Sequence, residues 1–357
     1  MEHHATRLPD LRSDACLIAL AEYLHENWSS GASVAGLRRA EAGFSNETWF
    51  LTIAVGANTE TVVLRRQALA GPLEPYDLER EAGILTALKE CSDIPVPDVY
   101  RYCGDSAILG SPFTLIERLV GAVPDYRSLP EYPGWSDPRQ RTRMAEEVLR
   151  ALALIQGARW REEPLASLIS TSDNDEPPVV ARVRWWLSKL DRTVGADRLL
   201  PVLRDAAAWL IDNAPPTGEQ VLVHGDFRVG NFVCEGMTII AVLDWEGAGV
   251  GDAFEDLGYF CHPMARVRDP SLMGMLVPLD ELSRIFEAQM GRAIEMRRVH
   301  YYLIYALYFH LSTLVSGFAA AINGADLRAG LGYSKFGRTT SALIDHMRAY
   351  EEGNHVL

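Results

Sequence analysis

Asp226, Asn231 and Asp244 stand in a fixed order, the first two inside His224-Gly225-Asp226-Phe227-Arg228-Val229-Gly230-Asn231 and the third thirteen positions further on. Phosphoryl transfer needs a carboxylate beside the attacking hydroxyl and oxygen ligands for magnesium on the nucleotide phosphates. These three side chains can supply all of them. Taken singly, an Asp or Asn after a strand is a turn residue making a local hydrogen bond. As an ordered set they point to chemistry.

The flanking residues have the patterns needed to bring the set together. Residues 219–223 are a short β-prone run, so Asp226 is expected on the loop leaving a strand. Residues 232–234 and 238–243 read as two further strands around a turn at Glu235-Gly236-Met237. Such a hairpin folds the chain back and returns Asp244 towards Asn231.

HGDFRVGN (224–231) and LDWEGAGVGDAFEDLGY (243–259) resemble the aminoglycoside phosphotransferase family, small-molecule relatives of the protein kinases. The resemblance spans most of the chain, from about residue 35 to about residue 330, on weaker N-terminal matches. It is nearest to the HGDxRxGN/LDWE branch, which also occurs fused to acyl-CoA dehydrogenases. Where protein kinases have DFG this chain has Asp244-Trp245-Glu246, which keeps the metal-binding Asp. The implied fold class is α+β: a bilobal, protein-kinase-like fold with an antiparallel sheet plus helix in the small lobe and a larger, mainly helical lobe. The implied cofactors are ATP and Mg2+, and the implied partner is a small-molecule hydroxyl acceptor.

By the same resemblance Asp226 orients the acceptor hydroxyl and takes its proton, while Asn231 and Asp244 hold magnesium. His224 is expected to be structural, bonding backbone or the region after Asp244. Asp252 and Asp256 are expected to bond backbone or His224 and brace the catalytic loop. Arg228 has several open roles: neutralising Asp226, meeting the transferring phosphate, binding an acidic substrate, or simple solvation.

On the nucleotide side, EAGFSNETW (41–49) lies between two predicted strands and has one glycine where a protein-kinase loop has three. Ser45 and Asn46 would therefore supply polar contacts to phosphates beside backbone N–H groups; the alternative is an ordinary hairpin turn. Arg65 and Glu81 stand where kinases pair a strand lysine with a helix glutamate. Arginine keeps the charge but changes the geometry. Arg66 competes for the role, although strand alternation sends the two arginines to opposite faces. The bland reading of Arg65–Glu81 is a surface ion pair of little weight. The resemblance places adenine at the lobe crossover, against the backbone C=O of Glu117 and N–H of Leu119.

The whole chain sets outer limits. Its 357 residues suffice for two cores, and 48% hydrophobic with 23% charged residues is ordinary globular composition. A net charge of −14 gives no electrostatic footprint for nucleic acid or an anionic membrane. It is compatible with a cationic substrate, though acidic cytoplasmic enzymes are common. Cysteines 16, 91, 103, 234 and 261 form no C-x-x-C pair, as expected of reduced thiols in a cytoplasmic protein. The polar N-terminus has no signal-peptide core. Residues 301–322 lack charge and are long enough to cross a bilayer, but their tyrosines, His310, Ser312 and Ser316 favour a buried helix.

Periodicity predicts a helix within 11–29, strands within 34–39, 48–55 and 60–65, a helix over 78–89, and strands over 96–102 and 113–119. Residues 124–140 and 161–179 read as loops. Further helices are predicted at 140–157, 179–192, 199–213, 279–290, 293–322 and 335–351. The division expected is an N-terminal lobe over 1–119 and a C-terminal lobe over 120–357. An ATP- and magnesium-dependent kinase for a metabolic hydroxyacyl-type or other alcohol leads the functional readings. An aminoglycoside 3'-type kinase, a nucleotide-binding scaffold without transfer activity and an acyl-CoA-binding protein are the alternatives, and a homodimer is left open.

Overall fold

The computed structural model describes residues 8–40, 46–124, 129–169, 176–195, 200–266, 268–324 and 335–357. The chain divides into two compact units. One comprises Met1–Thr86, Pro97–Leu119 and Leu314–Tyr333; the other comprises Ala87–Val96, Val120–Thr313 and Ser334–Leu357.

The first unit begins with α1 (Asp14–Asn27), whose Ser13 side chain accepts from the Cys16 N–H. Three strands follow, β1 (Ala32–Arg39), β2 (Glu47–Val55) and β3 (Asn58–Arg66), and then α2 (Leu78–Cys91). β4 (Val99–Cys103), the short α3 (Ser106–Leu109) and β5 (Phe113–Ile116) complete the sheet, antiparallel throughout in the order β1-β2-β3-β5-β4. Period-two alternation builds one core face: Trp49, Leu51 and Ile53 of β2 are buried in a core with Leu20 and Leu24 of α1 and Phe113 and Leu115 of β5. The strands expected at 96–102 and 113–119 are both shorter. The ladder runs out to Glu117 N–H on Asp98 O at 2.8 Å. It then stops, because the Asp98 N–H turns to the Glu117 carboxylate at 3.2 Å instead of the Glu117 carbonyl. Thus residues 117–119 leave the sheet, and α3, capped by the Asp105 side chain on Ala107 N–H, is an element the periodicity did not predict.

The second unit contains α4 (Pro138–Gln156), α5 (Leu165–Leu168), α6 (Pro178–Val194) and α7 (Pro201–Asp212) before the functional segment. Prolines open α4, α6 and α7 at positions where a missing N–H costs nothing. β6 (Gln220–Val223) precedes the hairpin of β7 (Phe232–Glu235) and β8 (Thr238–Val242). β9 (Gly249–Asp252) pairs antiparallel with β6, from Gln220↔Asp252 to Val223↔Gly249. α8 (Glu255–Cys261), α9 (Leu279–Met290), α10 (Met296–Ile322) and α11 (Phe336–Glu351) follow. α10 is 27 residues long, and 72% of its most apolar 18-residue window is buried inside the fold. Its polar groups find internal partners, among them Tyr301 O–H on Leu210 O at 2.7 Å and Thr313 O–H on His310 O at 2.7 Å. α5 falls within a stretch expected to be loop, and β9 and α8 were not predicted as elements.

Candidate active site

The chain leaves β6 at Val223 and turns sharply. Gly225 has φ +82°, and a Cβ there would lie 2.4 Å from the Gly247 carbonyl oxygen, so backbone packs directly on backbone. His224 is fully buried. Its Nδ1 accepts from Asp226 N–H at 3.2 Å, which assigns the ring proton to Nε2, the donor to Leu243 O at 2.7 Å. Trp245 closes over the imidazole at 4.8 Å between centroids. Asp256, from α8, accepts from His224 N–H at 2.8 Å and Gly225 N–H at 3.0 Å. His224 therefore ties the loop to the end of the hairpin, just before Asp244, and Asp256 holds its backbone. Asp252 does not join them: it accepts from Phe254 N–H at 2.9 Å and pairs with Arg298 at 3.3 Å.

Asp226 and Asn231 meet directly. The Asn231 amide donates to the Asp226 carbonyl at 2.8 Å and to Asp226 Oδ2 at 2.7 Å. Both donors of that amide are thereby committed, and its Oδ1 is buried with no hydrogen-bond partner among the described residues. A buried, orphaned amide oxygen is a hard donor of the kind magnesium takes. The register of the hairpin carries Leu243 N–H to Asn231 O at 2.8 Å and so returns the next residue, Asp244, to this neighbourhood. Asp244 holds φ 60°, ψ 61°, a left-handed conformation that a non-glycine residue adopts at a cost. The residues present fit a magnesium ion.

Arg228 lies back over the carboxylate, its Nε 3.1 Å from Asp226 Oδ1 and 3.3 Å from Oδ2. Burial alone would raise the Asp226 pKa. The charge of Arg228, the nearby Tyr259 and the hydrogen bond from Asn231 outweigh it and hold the group below the ordinary carboxylate range. For Arg228 burial opposes the charge, but Asp226, Tyr259 and Asp244 raise its pKa above normal. Tyr259 had no role in the sequence reading. It lies on α8 three residues beyond Asp256, on the same helix face, and no sequence signal marked that helix.

In the first unit, Arg65 pairs with Glu81 at 2.5 Å, with the two side chains 11% and 4% exposed. This is a buried bridge and not the surface pair of the bland reading. Arg66 points to the other face, where it binds Glu47 and the carbonyls of Pro9 and Leu109, both at 2.9 Å. Asn46 is buried, and its Oδ1 anchors Ala68 N–H at 3.2 Å. Ser45 lies outside the described residues. Glu117 uses its N–H and its carboxylate on Asp98, and Leu119 is half-buried.

An antiparallel sheet, a mainly helical second unit and a strand-loop-hairpin bearing Asp, Asn and Asp define a kinase-like phosphotransferase architecture. The sequence profile of the phosphotransferase enzyme family matches residues 36–281, and the chain belongs to that family. Among solved structures, a Ralstonia eutropha protein assigned as an aminoglycoside phosphotransferase aligns with TM-score 0.67 and 20% identity over 96% of this chain and 99% of its own. A thermostable mutant of aminoglycoside phosphotransferase APH(4)-Ia, solved with ADP and hygromycin B, aligns at 0.61 and 16% identity, covering 93% and 98% of the two chains. A choline/ethanolamine kinase family protein from Mesorhizobium loti aligns at 0.55 and 16%, covering 94% and 99%. Identities this low establish the fold. Among curated proteins, acyl-CoA dehydrogenase family member 10 of Mus musculus is 29% identical over 71% of this chain and 24% of its own length. Member 11 of Gallus gallus is 30% identical over 64% and 28%. The chain thus spans about a quarter of the length of these relatives.

Proposed function

We propose that this protein is an ATP- and magnesium-dependent kinase that phosphorylates a hydroxyl group of a small molecule. The observation that carries this reading is the Asn231 side chain, whose amide is spent on Asp226 while its oxygen stays orphaned beside the returning Asp244. The acceptor oxygen forms a bond to the γ-phosphorus, the bond from that phosphorus to the ADP oxygen breaks, and the acceptor proton passes to Asp226. Asp226 is a weak base, so its main contribution is to orient the hydroxyl. Magnesium held by Asn231 Oδ1 and Asp244 would neutralise charge on the phosphates. Arg65, fixed by Glu81, would bind nucleotide phosphate, with Ser45 and Asn46 from the preceding loop and the Glu117 and Leu119 backbone at the base.

For the acceptor, a metabolic alcohol of the hydroxyacyl type is favoured over an aminoglycoside. The charge that dominates Asp226 is Arg228, and a cation beside the base disfavours a polycationic substrate. The curated relatives, named as acyl-CoA dehydrogenase family members, agree with a metabolic role. The test is ATP consumption by the purified protein against hydroxyacyl thioesters, sugars, choline-like amines and aminoglycosides, with Asp226→Asn as control. Phosphorylation of a hydroxyacyl thioester supports the reading. Transfer to aminoglycosides alone would overturn the acceptor class, and ATP binding with no transfer to anything would indicate a scaffold.

A further inference from the structure

We infer that Arg228, seated against Gly230, recognises the acceptor: the outer edge of its guanidinium binds an acyl oxygen, a carboxylate or a thioester carbonyl, carried near the acceptor hydroxyl. This rests on the reading in which Asp226 meets that hydroxyl, and it names a group the acceptor must carry.

The guanidinium is only partly spent inside the protein. Nε lies 3.1 Å from Asp226 Oδ1 and 3.3 Å from Oδ2. Nη1 and Nη2 have no hydrogen-bond partner among the described residues, and the side chain is 37% exposed. An arginine given over wholly to a carboxylate takes it with two parallel N–H bonds. Here the Nη1–Nη2 edge stays out of the pair and, in the planar fork, diverges from the Nε–H. Gly230 provides the seat. It lies in the short helical turn Val229–Asn231 and has no positive φ, so its backbone makes no demand for glycine. A Cβ on Gly230 would lie 2.2 Å from Nη1 and 3.2 Å from Cζ. The missing side chain is what lets the guanidinium lie beside Asp226.

The two oxygens of Asp226 are divided between these neighbours. Asn231 donates to Oδ2 at 2.7 Å, and its own oxygen is the atom suited to the metal. Nε sits nearer Oδ1, so the guanidinium flanks the carboxylate on the side left for the acceptor. A cation beside the base lowers its proton affinity, which by itself works against proton transfer. The placement becomes productive when the outer edge holds the acceptor. With its hydroxyl on Asp226 and its acyl oxygen on Arg228, the acceptor is fixed at two points and its reacting oxygen is aimed. A planar guanidinium suits an acyl oxygen, and a carboxylate can take two parallel bonds from it. A polycationic acceptor has no anionic group to offer that edge. A simple alcohol engages only Asp226.

The test compares the wild type with Arg228→Gln and Gly230→Ala. In Gly230→Ala the added methyl meets the flexible end of Arg228, so it unseats the guanidinium and leaves the charge in the chain. The acceptors are β- and γ-hydroxybutyrate, their N-acetylcysteamine thioesters and the corresponding butanediols, which lack the acyl oxygen. In the wild type, kcat/KM for the acyl acceptors should exceed that for the diols by about tenfold or more, as one charge-assisted hydrogen bond supplies. Both variants should bring this ratio to within about twofold of one, chiefly through KM of the acyl acceptors. The ratio is taken within each protein, so a general loss of activity cancels. Preference for the carboxylates identifies the charged form as the ligand, and preference for the thioesters identifies the carbonyl. A ratio near one in the wild type, or a ratio unchanged in either variant, overturns the inference and leaves the kinase reading standing. An Arg228 that serves the transferring phosphate gives that second result, because all acceptors slow alike. If the wild type transfers to no acceptor, the kinase reading fails separately, and calorimetric binding of the same probes decides. Acyl probes bound at least about fivefold more weakly by both variants support the recognition. No binding, or equal binding by the three proteins, overturns it.

Discussion

Asp226 and Arg228 form a close pair, Nε to Oδ1 at 3.1 Å, and the kinase reading makes the carboxylate its essential member. Replacing Asp226 by Asn preserves volume and the bonds to Asn231 but removes the proton acceptor. Turnover should fall by about two orders of magnitude or more while ATP affinity is retained, measured by steady-state kinetics beside calorimetric binding. Full activity in this variant would take Asp226 out of the mechanism. Asp244→Ala makes a separate demand. On the kinase reading the backbone at φ 60° aims a metal-binding carboxylate, so its removal should abolish the magnesium dependence of nucleotide binding. Unaltered Mg-ATP affinity would mean the metal lies elsewhere. Arg65→Ala tests the first unit. It removes the Arg65 guanidinium from the Glu81 carboxylate, 4% exposed, and removal of one member of a buried pair costs about 3–5 kcal/mol. A urea midpoint within error of the wild type would show that the bridge is dispensable.

Elements, more than single residues, explain what could be read from sequence. The strand, loop and hairpin around Asp226 were legible because each has a local cause: β-prone runs, Gly236 in the turn and a two-residue side-chain period. The long helices were legible for the same reason. What escaped was set by tertiary contact. Gly247-Ala248-Gly249-Val250-Gly251-Asp252 looks like loop, yet it supplies β9. A Cβ on Gly251 would sit 2.8 Å from Val223 and 2.4 Å from the Glu255 carboxylate, so the missing side chain is what admits its neighbours. α8 was hidden because its seven residues are all buried and show no amphipathic stripe. With α8 hidden, Tyr259 had no visible link to Asp226, and Asp252 and Asp256 were indistinguishable as braces. The structure separates them, and a variant can too. Asp256→Ala removes the partner of the buried His224 N–H, costing about 1–3 kcal/mol when left unsatisfied, and of the part-buried Gly225 N–H. It should lower Tm and loosen the loop, seen as faster amide exchange at His224 and Gly225. Unchanged protection at those amides would deny α8 its bracing role.

Across the molecule, buried histidines make stability depend on pH in a definite direction. His262 and His300 are 3% and 0% exposed, and burial holds both pKa values down to about 3. His310 and His346, less deeply placed, are held down to about 4, again chiefly by burial. In the unfolded chain each returns to near 6.5, so below that pH the unfolded state binds protons that the folded state refuses. Stability is therefore fully present above about pH 6.5 and falls as the pH drops towards 4, by about 1.4 kcal/mol per pH unit for each of the two deepest histidines. Glu255 works against this. Burial raises its pKa to about 7 despite Arg182, so the folded state takes up a proton there before the unfolded one does. Asp252 and Asp256, also raised by burial, act in the same sense, so the carboxyls offset part of what the four histidines contribute. The stability measured by urea unfolding should still fall between pH 6.5 and 5.5, by about 1–3 kcal/mol. His300 packs against His346, Nε2 to Nδ1 at 3.0 Å, and joins α10 to α11. Replacing His346 by Gln keeps a polar partner for His300 but removes one titrating group, so the slope should become shallower. A flat profile for the wild type, or an unchanged slope in His346→Gln, would show that these imidazoles are protonated within the fold.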